Sequence, residues 1–508
     1  MQKNVLEYLL NTAKKTPKAI AYVEENKSYT FHEVLDISMH IGQYIRSKIN
    51  EKNIPVVVFL PKSLDALLTF HGITFSGNIY VPIDITQPIS RIAGIFNILK
   101  PKMIITYTEN IEKLREIYTE AIIEDYHHIL NTNIEQIDDG YKLIESSIST
   151  DPLYILFTSG STGVPKGVCI NHQSVIDYID WVCDTFNFTN EDKLANQAPF
   201  YFDNSILDIY SIHKTGACLY VIPPSIMPYP VDVLDYLKVN EISTIFWVPS
   251  ALISIANSGL LSPDNKLSLK KVLFCGEIMP NKQLNIWRKA YPDLLYANLY
   301  GPTEITDVCT YYIVDREFSD DEPLPIGKPC RNTGFLLLDS ENKPAQKGEI
   351  GELCIKGISL SLGYYNNTEK TREVFIQNPL NNNYSELIYR TGDLVYINQY
   401  DEIMFVGRKD FQIKHNGYRI ELGEIETAAS SIENIESVCV LYNDLAHEIT
   451  MFYTADKEYK ISSLRQQLAI YIPKYEIPTK YYYLEKMPLT GNGKIDRQFL
   501  KKKMYGEI

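Results

Sequence analysis

Thr158-Ser-Gly-Ser-Thr-Gly-Val-Pro-Lys-Gly167 is the stretch on which the reading of this chain turns. It packs the hydroxyls of Thr158, Ser159, Ser161 and Thr162, the glycines Gly160, Gly163 and Gly167, and Lys166 into ten residues. Glycine lets backbone N–H groups curl closely around an anion. Hydroxyls add neutral donors, and the lysine adds a mobile point charge. Together they describe a phosphate cradle. It is not a Walker A loop, because the order is Pro-Lys-Gly and Gly-Lys-Ser/Thr is absent. A P-loop also feeds a helix, whereas here Leu153–Phe157 reads as a strand going in and Val168–Ile170 as a strand coming out. The plainer alternative is an exposed flexible turn, which needs neither this length nor a lysine between Pro165 and Gly167.

The surroundings of the loop read as α/β layering with a largely parallel sheet. Upstream, residues 4–15 have helical periodicity, Ala19–Val23 and Ser28–Thr30 form a hairpin, and 31–47 a second helix. Val56–Leu60 reads as a buried parallel strand, followed by a helix over 62–76 with Gly77 at its end. Tyr80–Asp84 and Met103–Thr106 continue the alternation, while 107–150, with His127 and His128, reads as an irregular peripheral excursion. Downstream, a helix over 174–185 leads to the aromatic turn Pro199-Phe-Tyr-Phe-Asp203. Strands at 217–222, 244–248 and 270–274 then alternate with helices at 231–240, 250–258 and 280–291. Ligand sites in parallel sheets gather outside the C-terminal strand ends. Asp203, Cys275, Asn298 and Glu304 are expected there.

From about residue 325 the texture changes to β, with strands at 335–338, 351–356 and 394–397 that suggest a small barrel or sheet. Residues 411–500 read as a compact α+β stretch, so a domain boundary is placed at Asp410, between residues 1–409 and 410–508. The expected fold class is α/β: a large N-terminal domain of mostly parallel sheets with a small barrel-like part, and a small α+β C-terminal domain on a hinge.

Composition narrows the partners. The chain has 508 residues, enough for two to four domains, and a net charge of −14, which argues against a nucleic-acid footprint. Eight cysteines without a CxxC spacing fit reduced thiols, not a disulfide framework or a zinc site. The first residues lack a signal-peptide core and no apolar run approaches a membrane span, so a cytoplasmic protein without membrane insertion is expected.

Read by chemistry, the chain offers a phosphate loop, a carboxylate for Mg²⁺ (Glu304), a carboxylate for ribose hydroxyls (Asp393), a nearby cation (Arg408) and an aromatic on a turn (Tyr300). That is a nucleoside triphosphate site, with the ion shared between carboxylate and phosphate oxygens. Each element alone has a bland reading: Asp393 as a turn former, Glu304 as a helix cap, Arg408 as a surface ion pair. The sum weighs against blandness.

That sum resembles the adenylate-forming superfamily, specifically the amino-acid adenylation domains of nonribosomal peptide synthetases and their stand-alone relatives. The resemblance runs along essentially the whole chain. It is carried by Phe75–Asp84, the glycine loop, Phe202-Asp-Asn-Ser205, Asn298-Leu-Tyr-Gly-Pro-Thr-Glu304 and Gly351–Gly357. Tyr389–Leu394, Gly407–Glu426, Ile472–Pro478 and Asn492–Arg497 complete the ordered series.

The resemblance implies a two-step ligase using ATP and Mg²⁺. A carboxylate would attack the α-phosphorus, releasing pyrophosphate, and a phosphopantetheine thiol would then take the acyl group. By analogy the loop (Thr158, Ser159, Gly160, Ser161, Thr162, Gly163, Lys166) holds the β- and γ-phosphates. Asn298, Tyr300 and Gly301 lie against adenine, and Thr303 meets the α-phosphate. Glu304 supports Mg²⁺, Asp393 and Arg408 hold the ribose, and Lys494 is the catalytic lysine. Asp410 is the hinge, and Lys414 and Gly417 border the pantetheine tunnel. Asp203 pairs with an α-ammonium, which implies an amino-acid substrate. The matching pocket positions Asn204, Leu207, Phe246, Leu273, Cys275, Leu299, Asp307 and Val308 are mostly apolar, and Phe246 shortens the pocket, so a small amino acid is expected. Phe274-Cys-Gly-Glu277 and the chain length look most like the D-alanine–carrier protein ligases, although Asn204 and Asp307 depart from that pattern. Asp307 leaves serine, threonine or a diamino acid open. No Asp-Ser-Leu carrier signature follows Arg497, so the carrier is expected to be a separate protein. The alternative is an acyl- or aryl-CoA ligase of the same superfamily, against which Asp203 argues.

Overall fold

A computed structural model of the chain describes residues 2–134, 144–160, 164–490 and 495–507. The chain divides into two compact units. One comprises Met1–Asp84, Leu99–Leu156 and Gly167–Lys409; the other comprises Ile85–Ile98, Phe157–Lys166 and Asp410–Ile508.

The larger unit is organised around two sheets. The six-stranded one runs in the order Ile122–Asp125, Met103–Thr106, Pro55–Phe59, Ile79–Pro82, Pro152–Thr158, Lys166–Asn171. Its first four strands are mutually parallel. Pro55–Phe59 and Met103–Thr106 are buried along their whole length, which is why they read as unbroken apolar runs instead of alternating ones. The nine-stranded sheet has a parallel centre, Leu295–Tyr300, Lys271–Cys275, Thr244–Trp247, Lys193–Asn196, Cys218–Val221 and Ile20–Glu24, with antiparallel strands at its edges. The helix Phe31–Lys48 begins in a capping box: Thr30 accepts from the Glu33 amide while the Glu33 carboxylate accepts from the Thr30 amide. The next helix, Leu64–Phe75, is buried on every face, and one hydrophobic cluster joins it to both sheets.

An antiparallel five-stranded sheet follows, built from Thr333–Leu338, Gly351–Gly357, Phe375–Gln377, Leu387–Ile397 and Ile403–Arg408. In the smaller unit a two-stranded hairpin, Gln412–His415 with Tyr418–Glu421, precedes a three-stranded sheet of Ile435–Asn443, Glu448–Ala455 and Lys480–Tyr483. The mixed α/β class, with a large parallel-sheet N-terminal part and a smaller C-terminal one, is as expected.

One expectation is corrected and one helix is added. Within the stretch expected to be irregular, residues 107–134 carry regular elements: Thr108–Ile117 and Tyr126–Asn131 are helices flanking the strand Ile122–Asp125. Only Leu114 of the first helix is buried, so the stretch lacked the apolar stripe by which such a helix is read. The helix Asn204–Thr215 is an addition to the expected elements: it is buried from Asn204 through His213, so its sequence carries no polar face against which a helical period shows. His127 and His128 are exposed, as expected of surface residues. All eight cysteines are free thiols. Among the described residues no helix is long and apolar enough to cross a membrane.

Candidate functional site

Three sequence-predicted groups, Tyr300, Asp393 and Arg408, meet at the end of the strand Leu295–Tyr300 in the larger unit. Tyr300 closes the strand, and its hydroxyl donates to Asp393 Oδ2. Arg408 donates from Nη1 to Asp393 Oδ1 at 2.5 Å and from Nη2 to the Thr391 carbonyl at 3.2 Å. The pairing is dictated by register, since Asp393 and Arg408 face one another across antiparallel strands. Burial, followed by the Asp393 charge, pushes the Tyr300 phenol far up, so it remains a donor. Asp393 is 5% exposed. A carboxylate accepts about four hydrogen bonds, so these two donors leave capacity for a pair of hydroxyls.

Asn298 lies inside the strand and donates from Nδ2 to the Pro325 carbonyl at 2.8 Å. Gly301 is required by close approach: a Cβ there would meet the Asp307 carbonyl oxygen at 2.1 Å. Thr303 and Glu304 form the 3₁₀ turn Thr303–Ile305. Glu304 is wholly buried and its Oε1 accepts from the Tyr364 hydroxyl at 2.8 Å. Among the described residues no three His, Cys, Asp or Glu side chains gather as a metal-binding group. A divalent ion at Glu304 would therefore draw its other ligands from phosphate and water, the usual habit of Mg²⁺.

A second neighbourhood is apolar with polar insertions. Phe246 faces Leu273 across parallel strands, and Cys275 faces Leu299 across the next pair. With Leu207 and Val308 they belong to one buried cluster. Asp203 caps the helix Asn204–Thr215, accepting from the Asn204 amide. Asp307 has φ +71° directly after Thr306 at +62°, a left-handed pair held by Thr306 Oγ1 donating to the Ser359 carbonyl. Its Oδ2 accepts from the buried Tyr178 hydroxyl at 2.6 Å. Sequence reasoning missed Tyr178, because its spacing with Val175, Ile179 and Val182 is that of an ordinary core stripe. It also missed Tyr154, whose hydroxyl is buried without a hydrogen-bond partner. Burial, then the charges of Asp203 and Asp307, pushes that phenol far up, and Nδ2 of Asn204 is likewise buried and unpartnered.

The phosphate-loop residues Thr158, Ser159, Gly160 and Lys166 fall in the smaller unit. Ser159 Oγ donates to the Arg419 carbonyl at 2.7 Å, and Lys166 Nζ lies 3.7 Å from Glu421 Oε1. Thr158 Oγ1 is buried without a partner, an orphaned donor of the kind an anion would satisfy. Lys414 lies on the hairpin whose turn is Asn416–Gly417, with φ +52° and +81°, so Gly417 occupies a conformation that a side chain would strain. Asp410 is exposed at the unit boundary, and its Oδ1 accepts from the Gln412 amide. Ser161, Thr162, Gly163 and Lys494 lie outside the described residues.

Comparison with known proteins gives the class to which the chain belongs. Residues 9–365 match the AMP-binding enzyme family, and the chain belongs to it. It is 30% identical to zwittermicin A synthase ZmaJ of Bacillus cereus over 495 residues, covering 96% of this chain and 92% of that protein. It is also 30% identical to a D-alanine--D-alanyl carrier protein ligase of Bacillus cytotoxicus over 515 residues, covering 99% of each. The Vibrio cholerae adenylation domain AlmE, solved with glycyl-adenosine-5'-phosphate, shares the fold at a TM-score of 0.85, with 22% identity over 100% of this chain and 98% of that one.

Proposed function

We propose that this enzyme activates a small amino acid as its aminoacyl-adenylate and passes the acyl group to the phosphopantetheine thiol of a separate carrier protein. The observation that supports the reading is Asp203 at the N-cap of the helix Asn204–Thr215, whose Leu207 packs in one buried apolar cluster with Phe246, Leu273 and Leu299. A carboxylate there suits an α-ammonium, and the large apolar side chains of that cluster favour a substrate with a small side chain. Relatives support the second step: one is named a D-alanyl carrier protein ligase. Asp307 and Tyr178, with the unpartnered Tyr154 hydroxyl, favour a side chain no longer than that of serine, threonine or a short diamino acid.

In this reading ATP lies with its ribose hydroxyls donating to Asp393, which Tyr300 and Arg408 hold in place. Asn298, Tyr300 and Gly301 border the adenine, the 158–166 loop takes the outer phosphates, and Thr303 takes the α-phosphate. Glu304 would hold Mg²⁺, which supplies charge neutralisation on the phosphate oxygens. The substrate carboxylate oxygen forms a bond to the α-phosphorus as the bond to the pyrophosphate oxygen breaks. Lys494 stabilises the charge that accumulates in that displacement. In the second step the thiol sulfur forms a bond to the acyl carbon and AMP leaves. Asp410 is the hinge between the two steps, and Lys414 and Gly417 line the thiol's path.

The test is amino-acid-dependent pyrophosphate–ATP exchange over a panel of both enantiomers of small, polar and aromatic amino acids. The expected result is exchange with a small amino acid and loss of it in Asp203→Ala. No exchange with any amino acid, together with thioester formation from a plain acid and free CoA, would replace this reading with the CoA-ligase alternative.

A further inference from the structure

Between the strand Lys193–Asn196 and Asp203 runs a turn that leads to the Asp203 carboxylate, and two charged residues outside the site described above, the half-buried Lys62 and the buried Asp208, both hold its first residue, Asn196. Lys62 lies between the strand Pro55–Phe59 and the helix Leu64–Phe75. Its Nζ donates to the carbonyls of Asn196 at 2.9 Å, Gln197 at 3.0 Å and Ile222 at 3.3 Å. All three ammonium protons are thus spent on backbone at the C-terminal edge of the nine-stranded sheet. The same ammonium lies 6.0 Å from the ring centroid of Phe200, midway along the turn. At the far end, Asp208 sits in the helix that Asp203 caps, and its Oδ2 accepts from Asn196 Nδ2 at 2.8 Å. Asn196 is wholly buried and Asp208 is 1% exposed. The start of the turn is therefore held from two sides: Lys62 grips the carbonyls of Asn196 and Gln197, and Asp208 ties the Asn196 side chain to the helix that Asp203 caps.

Withdrawing an ammonium and a carboxylate from water is costly, and apolar side chains would fill the same space more cheaply. The charges feel one another: burial pulls Lys62 down to about 7 and pushes Asp208 up to about 7, and each opposes the other's shift. An ammonium whose three protons all go to backbone carbonyls holds those carbonyls in one arrangement, a constraint that apolar packing does not impose. Here two of those carbonyls, of Asn196 and Gln197, begin the turn that leads to Asp203.

We propose that Lys62 and Asp208 are positioning residues for substrate recognition: through Asn196 they lock the turn that presents Asp203 to the amino acid's α-ammonium. The inference rests on the ammonium role of Asp203 in the proposed function. Neither residue touches ATP or the reacting atoms in this account, so their effect is confined to one substrate.

The experiment is steady-state pyrophosphate exchange on the full chain, varying the amino acid and ATP separately. Because misplacement of a binding group by about 1 Å can cost up to about a hundredfold, Lys62→Met should raise the amino-acid KM by about ten- to a hundredfold. The ATP KM should not move. Asp208→Asn keeps the hydrogen bond to Asn196 but removes the charge, and should raise the amino-acid KM less. Lys62→Arg, which keeps a cation and several donors, should restore most of the wild-type value. If Lys62→Met does not fold, Asp208→Asn and Lys62→Arg decide the matter by the same split. Equal rises in both KM values, or an unchanged amino-acid KM in Asp208→Asn and in a folded Lys62→Met, overturn the proposal. Asp203→Ala measured alongside separates the two levels: a normal amino-acid KM there defeats the ammonium reading itself, whereas an impaired Asp203→Ala beside normal Lys62 and Asp208 variants defeats only the clamp.

Discussion

Replacing Asp393 by asparagine isolates the contribution of one charge to nucleotide binding. The substitution preserves shape, so packing around the buried side chain is kept, but it replaces one carboxylate oxygen by an amide nitrogen that cannot accept. Two donors now converge on that carboxylate, the Tyr300 hydroxyl and the Arg408 guanidinium at 2.5 Å. In the variant one of them faces an N–H, and Arg408 loses its counter-charge. Any ribose hydroxyl that donated to the carboxylate loses a charged acceptor as well. A hydrogen bond to a charged group contributes about 1.5–3 kcal/mol, which is a factor of roughly 10–150 in affinity. Asp393→Asn should therefore raise the ATP KM in pyrophosphate exchange by at least about tenfold and leave the amino-acid KM unchanged. Tyr300→Phe, which removes one donor and leaves the charge, should do less. Both variants are assayed at saturating amino acid with ATP varied, and the reverse. An ATP KM that stays at the wild-type value in Asp393→Asn, or a rise of the same size for the amino acid, would refute the assignment of this cluster to the ribose.

Other expectations separate the remaining parts of the site. Lys494→Ala should slow adenylation by on the order of 10²–10³ yet still load a carrier from pre-formed aminoacyl-adenylate, whereas a Gly417 substitution should keep exchange and block thioester formation; equal slowing of both half-reactions by Lys494→Ala would remove the two-step account. Phe246→Ala should widen the tolerated side chains toward larger amino acids, and a panel unchanged by it would place the pocket elsewhere. His172, buried with its Nδ1 accepting from the Val5 amide, is pulled down to about 4 by burial. Between pH 6.5 and that value only the unfolded chain takes up its proton, so stability falls on acidification through this window and is fully present above it. From pH 7.5 to 5.5 the wild type should lose about 1.4 kcal/mol more than His172→Gln in urea unfolding, and parallel pH dependences would show that the imidazole is not held neutral.

Much of this protein was legible because its chemistry is local. A glycine loop between two apolar runs declares a strand–loop–strand unit whatever surrounds it, since backbone approach and side-chain donors lie within ten residues. The parallel strands were readable for the same reason: burial on both faces imposes a continuous apolar run that no fold context is needed to see. Tyr300, Asp393 and Arg408 were expected together from residue type, and they do meet, on three strands and not on turns.

What the tertiary structure alone decided are the partnerships between residues distant in sequence. Tyr178 looks like core until its hydroxyl is found on Asp307, 129 positions away. Arg91 pairs with Glu424 across 333 residues, and Lys62 reaches the Asn196 carbonyl across 134. Helical and strand periodicity report which face of an element is buried, but a polar residue on a buried face is ambiguous until its partner is known. The cost of an unsatisfied buried charge fixes such partnerships strongly, yet that cost is a property of three-dimensional surroundings. Local residue types therefore determined that this chain handles a phosphorylated nucleotide, and only long-range packing decided how the turn bearing Asp203 is held in place.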